Sequence, residues 1–147
     1  MSANKTISLN TFSNTNTTLS DDEVKYLYKL LFYLADLERN KNTNGFYVKD
    51  KELSKFLKKE NIELDYKKTP EVHYDKNKII FVPRSSTCFF LLKHIRNAFA
   101  HGRLTKIKNQ LEIVDTYKGK ITAYGIFTPN VLFKLIDKII TLKKTNK

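Results

Sequence analysis

The stretch Leu91-Leu92-Lys93-His94-Ile95-Arg96-Asn97-Ala98-Phe99-Ala100-His101-Gly102 decides the fold, because its residues divide between the two faces of one helix. At about 100° per residue, the apolar positions fall within one third of a helical wheel and the polar positions fall opposite. The pattern predicts a helix from Thr87 to about His101, opened by Ser85 or Ser86 and closed by Gly102. The apolar face comprises Cys88, Leu91, Leu92, Ile95, Ala98 and Phe99.

Three polar residues of this helix suggest chemistry. Arg96 and Asn97 are adjacent, and His101 lies one turn beyond Asn97, so we expect the three side chains to converge near the last turn. A guanidinium matches phosphate oxygens, and an imidazole can give or take a proton near neutral pH. The group predicts a catalytic site for attack of an RNA 2′-hydroxyl on its own adjacent phosphate, with no metal required. The alternative is a purely structural role, in which these residues cap the helix and form a salt bridge.

Further basic residues surround this group. Lys93, His94, Arg103 and Lys106 are candidates for contacts with an RNA backbone. A solvated lysine-rich face is the alternative interpretation.

Composition limits the classes of protein to consider. The chain has 147 residues, enough for one domain, and a formal net charge of +12, which favours an anionic partner such as nucleic acid. Its single cysteine, Cys88, excludes an internal disulfide framework and a multi-cysteine metal site, and we expect no cofactor. No apolar run reaches the roughly 18 residues that span a bilayer, and no secretory signal is visible. We therefore expect a cytoplasmic protein without a membrane partner.

The remaining patterns favour a mainly α protein, a helical bundle with small β-hairpin insertions. Residues 1–19 are polar and predict a flexible tail, and residues 20–147 predict a single domain. Ser20-Asp21-Asp22-Glu23 fits a capping box for a helix that ends near Asn40. The other predicted elements are a helix from the cap Asp50 to about Glu60, a hairpin or irregular arm over 71–74 and 79–82, strands at 110–114 and 120–124, and a helix begun by Thr128 and Pro129.

The run from His94 to Gly102 resembles the Arg-x4-6-His signature of the HEPN superfamily, in which a polar residue, often Asn, follows the arginine. The amphipathic helix before it and the β segments after it resemble small bacterial HEPN proteins of the plasmid and phage-defence type. The resemblance implies an HEPN-like α core and a homodimer, in which two motif helices build one ribonuclease site. It assigns Arg96, Asn97 and His101 to that site.

Two functions remain open from the sequence. The first is a metal-independent endoribonuclease of a toxin or phage-defence system, with RNA as substrate and a cognate antitoxin as a further partner. The second is a non-catalytic HEPN module that binds RNA or another protein through the same face. Persistent binding after His101→Ala would favour the second function.

Overall fold

The computed structural model of the chain describes residues 16–41, 51–82 and 87–145. In these ranges, 51% of the residues are helical and 25% lie in strands. The helices are α1 (Asp21–Arg39), α2 (Lys51–Glu60), α3 (Thr87–Ala100) and α4 (Pro129–Thr145). The strands are β1 (Asn16–Thr17), β2 (Glu63–Tyr66), β3 (Lys78–Phe81), β4 (Leu104–Ile107), β5 (Gln110–Tyr117) and β6 (Lys120–Phe127).

The described strands form one mixed sheet in the order β1-β4-β5-β6-β3-β2. The strands β2 and β3 are parallel, and every other neighbouring pair is antiparallel. A two-residue turn joins β5 to β6, and Lys118 and Gly119 both have positive φ there (50° and 77°), as a type I′ turn requires. At one edge, Asn16 and Thr17 pair with β4, although the sequence placed them in the polar tail.

The main core lies between the helices and one face of the sheet. Leucines of α1 and apolar residues of α2, α3 and α4 pack there against the side chains of Ile79, Phe81, Leu111 and Ile113. Side chains alternate along a strand, so Ile80 points to the opposite face. On that face, His73 stacks edge-on against Tyr124, with ring centroids 5.1 Å apart. The segment between β2 and β3 therefore covers the second face of the sheet.

The predicted helical bundle is wrong as an architecture. The sheet is a full layer, α3 packs directly on it, and α1 and α2 contact α3 and α4, which makes an α+β fold. The sequence concealed this because β2 and β4 are only four residues long, and strands of that length carry a weak periodic signal. Their pairing partners are also set by distant segments.

Of the two alternatives for 71–74 and 79–82, the hairpin is wrong, and the irregular arm describes only the first of the two segments. Residues 71–75 have no regular structure, and residues 78–81 form β3, which pairs with β2 and β6. Both neighbours of β3, the parallel β2 and the antiparallel β6, lie outside the segment 71–82. A prediction made from that segment alone therefore gave β3 the wrong partner.

The helix predictions hold more closely. The capping box at Ser20 and Glu23 is confirmed, with both reciprocal hydrogen bonds present (2.7 and 3.2 Å). The α3 helix ends at Ala100, and Gly102 follows with a φ of 70°. The amides of Gly102 and Arg103 donate to the carbonyls of Phe99 and Ala98, which is a Schellman motif.

Two predicted caps, Asp50 and the serines at 85 and 86, lie outside the described residues. No helix in the described ranges combines the length and apolar character that a bilayer crossing needs.

Candidate functional site

The polar face of α3 lies against the end of α1. There, Glu38 accepts from Arg96 Nη1 (2.8 Å) and pairs with Lys93 Nζ (3.0 Å). Partial burial works to raise the pKa of Glu38, but the hydrogen bonds and charges of Lys93 and Arg96 outweigh it and hold that pKa below its usual value. Glu38 therefore stays ionised at neutral pH and anchors both cations of α3.

Arg96 is also bound to its neighbour. Its Nη2 and Nε donate to Oδ1 of Asn97, at 3.0 and 3.3 Å. A guanidinium has five N–H donors. Three of them point to Glu38 and Asn97 in the part of the chain that the structure describes, so two are left for an anion. The side chain is fixed before any ligand arrives.

Asn97 connects this pair to a second group, around Asp115 of β5. Its Nδ2 donates to Asp115 Oδ2 (3.3 Å), and Nδ1 of His94 lies 2.8 Å from the same oxygen. Nε2 of His94 lies 3.2 Å from the carbonyl oxygen of Val82. Both ring nitrogens thus face oxygen atoms. Asp115 is 4% exposed, and His94 and Asn97 contact its Oδ2 in place of water.

An irregularity in the sheet positions Asp115. The register shifts between Asp115, opposite Ala123, and Thr116, opposite Ile121, so Thr122 is an extra residue in β6. The carbonyl of Thr122 accepts from the amide of Val82 (3.0 Å). The bulge therefore holds Val82, whose own carbonyl faces His94, and the His94–Asp115 pair is fixed from both sides.

A pocket of about 350 Å³ opens beside this network, between α3 and the bulged end of β5 and β6. That volume falls at the lower end of small-ligand sites. The pocket is lined by Val82, Phe90, Lys93, His94, Asn97, Asp115, Thr116, Tyr117 and Thr122.

The structure brings together two of the three predicted catalytic residues. Arg96 and Asn97 are in contact, whereas His101 is exposed and lies outside the pocket lining. The backbone amide of His101 donates to the carbonyl of Asn97 (3.0 Å). His101 therefore follows Asn97, one turn later, on the same face of the helix. In a single chain, His101 is exposed directly after the end of α3, one turn beyond Asn97.

The four candidate RNA-contacting residues lie in different places. Lys93 and His94 line the pocket. Arg103 is exposed at its rim, where Nη1 donates to the hydroxyl of Thr116 (2.6 Å). Lys106 lies outside the lining and pairs with both carboxylate oxygens of Glu23, each at 3.2 Å.

Sequence reasoning missed Asp115 and Glu38 as members of the site. A signal for Asp115 existed, since it follows Leu111 and Ile113 at the inward positions of β5, where a carboxylate is out of place. Glu38 carried no such signal, because a glutamate near the end of an amphipathic helix is ordinary.

No cluster of three or more histidine, cysteine or acidic side chains in the described ranges is placed to hold a metal ion.

Comparison with known proteins gives one result. A family model described as HEPN pEK499 p136 matches residues 3–147. No curated protein and no solved structure matches the chain. The matched region includes the helix with Arg96, Asn97 and His101, the run that resembles the HEPN signature. Because the match spans nearly the whole sequence, the chain belongs to the HEPN pEK499 p136 family, and its place in the HEPN superfamily is confirmed.

Proposed function

We propose that the protein is a cytoplasmic, metal-independent endoribonuclease of the HEPN type that acts in a toxin or phage-defence system. Arg96, Asn97 and His101 are its catalytic residues. The observation that carries the proposal is the arrangement on α3: a guanidinium fixed by Glu38 and Asn97, with an exposed imidazole one turn further along the same stripe.

The reaction follows from these groups. The 2′-hydroxyl of a ribose attacks the adjacent phosphorus and gives its proton to the imidazole of His101. The two remaining N–H donors of Arg96 bind the phosphoryl oxygens and stabilise the charge that builds up there. The bond to the 5′-oxygen breaks, and that oxygen takes a proton from an imidazolium. The products are a cyclic 2′,3′-phosphate and a 5′-hydroxyl end.

A homodimer supplies the second imidazole, since one His101 acts as base and the other as acid. The surface that suits self-association lies on α1, where Tyr28 and Phe32 are exposed on one stripe. Tyr28 packs edge-on against Phe99 of α3, with ring centroids 5.3 Å apart. A second chain on this stripe would therefore come close to the end of α3 and to His101.

The test is cleavage of cellular RNA by purified protein in the presence of EDTA, with end-group analysis of the products. We expect fragments with cyclic phosphate ends from the wild type. Arg96→Ala and His101→Ala should lower the rate at least 100-fold, the usual range for a lost general acid–base or charge-stabilising group. Arg39→Ala, which removes an exposed arginine paired with Asp36, is the matched control and should cleave normally. Equal cleavage by all variants would disprove the assignment.

Two observations favour a second function. The charge of Arg96 is already balanced by Glu38, and His101 is outside the pocket of its own chain. These features also suit a module that binds RNA or a protein partner, such as an antitoxin, without cleaving. RNA binding that persists in His101→Ala, together with the absence of cleavage by the wild type, would favour this function.

A further inference from the structure

The pocket beside the catalytic group extends beyond the residues that the proposed reaction uses. Asn97 lines it but Arg96 and His101 do not, so the pocket adjoins the catalytic group on one side. Its lining includes two aromatic rings, Phe90 and Tyr117, and two hydroxyl side chains, Thr116 and Thr122.

Tyr117 is an unusual member of this lining. It is 66% exposed although it is a large, mostly apolar side chain. Its backbone is held in place, because it pairs with Lys120 directly across the type I′ turn that joins β5 to β6. An exposed aromatic ring on a fixed backbone can stack on a flat, unpaired ring system.

Cations lie around the same space. Nζ of Lys118 is 5.4 Å from the centroid of the Tyr117 ring, and Nζ of Lys93 is 5.3 Å from that of Phe90. Arg103 is attached to the rim through Thr116. An aromatic surface bordered by positive charge complements a nucleobase that carries a phosphate.

We propose that this pocket is a subsite for one unpaired nucleotide of the RNA strand. The base stacks on Tyr117, and Arg103 and Lys118 contact the phosphate next to it. This inference rests on the proposed RNA partner and adds a requirement for single-stranded substrate, since a base inside a duplex cannot present its face to a side chain.

The test measures binding separately from cleavage. The probe is a fluorescent 2′-O-methyl oligonucleotide, which lacks the attacking hydroxyl and stays intact. We expect Tyr117→Ala to weaken binding of the single strand roughly ten-fold and Tyr117→Phe to keep the wild-type affinity, because stacking needs the ring and not the hydroxyl. A strand with 2-aminopurine at the stacked position should lose fluorescence on binding to the wild type but not to Tyr117→Ala.

Two controls complete the design. Tyr74→Ala removes a tyrosine that is 90% exposed and outside the pocket lining, and it should not change the affinity. The base-paired form of the same oligonucleotide should bind the wild type and Tyr117→Ala equally. Thermal unfolding of each variant checks that the exposed substitutions leave the fold intact.

The outcomes separate this subsite from the ribonuclease proposal. Equal single-strand binding by the wild type and Tyr117→Ala would overturn the subsite, even if RNA is cleaved. No single-strand binding by the wild type would overturn it as well. Binding that depends on Tyr117, without cleavage of natural RNA, would support the subsite and count against the ribonuclease.

Discussion

Among single residues, Asp115 joins two side chains of the site. One of its oxygens serves both His94 and Asn97, and Asn97 in turn holds Arg96. A buried carboxylate with two partners stabilises the fold only while both remain, because a lone charge left in the interior is costly. Loss of the Asp115 carboxylate should therefore lower the stability of the fold and disturb the positions of His94 and Asn97.

We expect Asp115→Ala to lower the free energy of unfolding by about 3 kcal/mol, since it strands the His94 side chain away from water. Urea denaturation measures this, and a double-mutant cycle with His94→Ala isolates the pair. Asp36→Ala is the matched control, because its ion pair with Arg39 is exposed and worth less than about 1 kcal/mol. A cost for Asp115→Ala no larger than that of the control would contradict the role given to it.

Part of the site was predictable from residues alone. Arg96, Asn97 and His101 are within six positions of each other, so helix periodicity is enough to place them on neighbouring stripes. Their partners Glu38 and Asp115 come from α1 and β5, and no local pattern relates those positions. The pocket was not predictable for the same reason, since it forms only where α3 meets the bulge.

Among the elements, the helices and strands differ in how well their sequences specify them. The α1 and α3 helices carry caps and a 3.6-residue period, and both were predicted within one or two residues of their ends. Strands β2 and β4 were missed because they are short, and pairing with neighbouring strands rather than their own sequence pattern stabilises them. The β5 and β6 strands extend further than predicted, since the added residues of β5 pair with the start of β6, and the added residues of β6 pair with β5 and β3.

The packing of α3 gives a prediction at this scale. Ile95 is completely buried between the helices and the sheet. Ile95→Ala should lower the free energy of unfolding by about 2–5 kcal/mol, through lost burial and the cavity that remains. Val72→Ala, an exposed truncation in the segment between β2 and β3, should change it by less than about 0.5 kcal/mol. A similar cost for both variants, measured by chemical denaturation, would show that the apolar face of α3 is not core.

For the whole molecule, the second face of the sheet makes stability depend on pH. Burial, together with the nearby charge of Lys78, lowers the pKa of His73, outweighing the opposite effects of Tyr124, Asp75 and Glu63. The folded protein therefore favours neutral His73, while the unfolded chain takes up the proton near the ordinary value of 6.5. Below that pH, the unfolded state binds more protons and the fold loses stability.

We expect the urea midpoint of the wild type to fall as the pH drops from 7 to 5, and His73→Gln to reduce this slope. The window lies above the range of Glu23 and Glu38, because their pKa values are below the ordinary 4.5. Denaturation curves at four or five pH values measure the effect. The same slope in wild type and variant would assign it to another group.

The additional residue at Thr122 makes the sheet less regular but supports the candidate site. Without it, β5 and β6 would run as an uninterrupted ladder, and the backbone of Val82 would lose the carbonyl that holds it. A chain shortened by that one position would thus gain a more regular sheet while His94 lost its second support. Loss of the bulge would therefore make the sheet more regular and the pocket less well formed. The bulge is thus a functional feature of the sheet and not a packing defect.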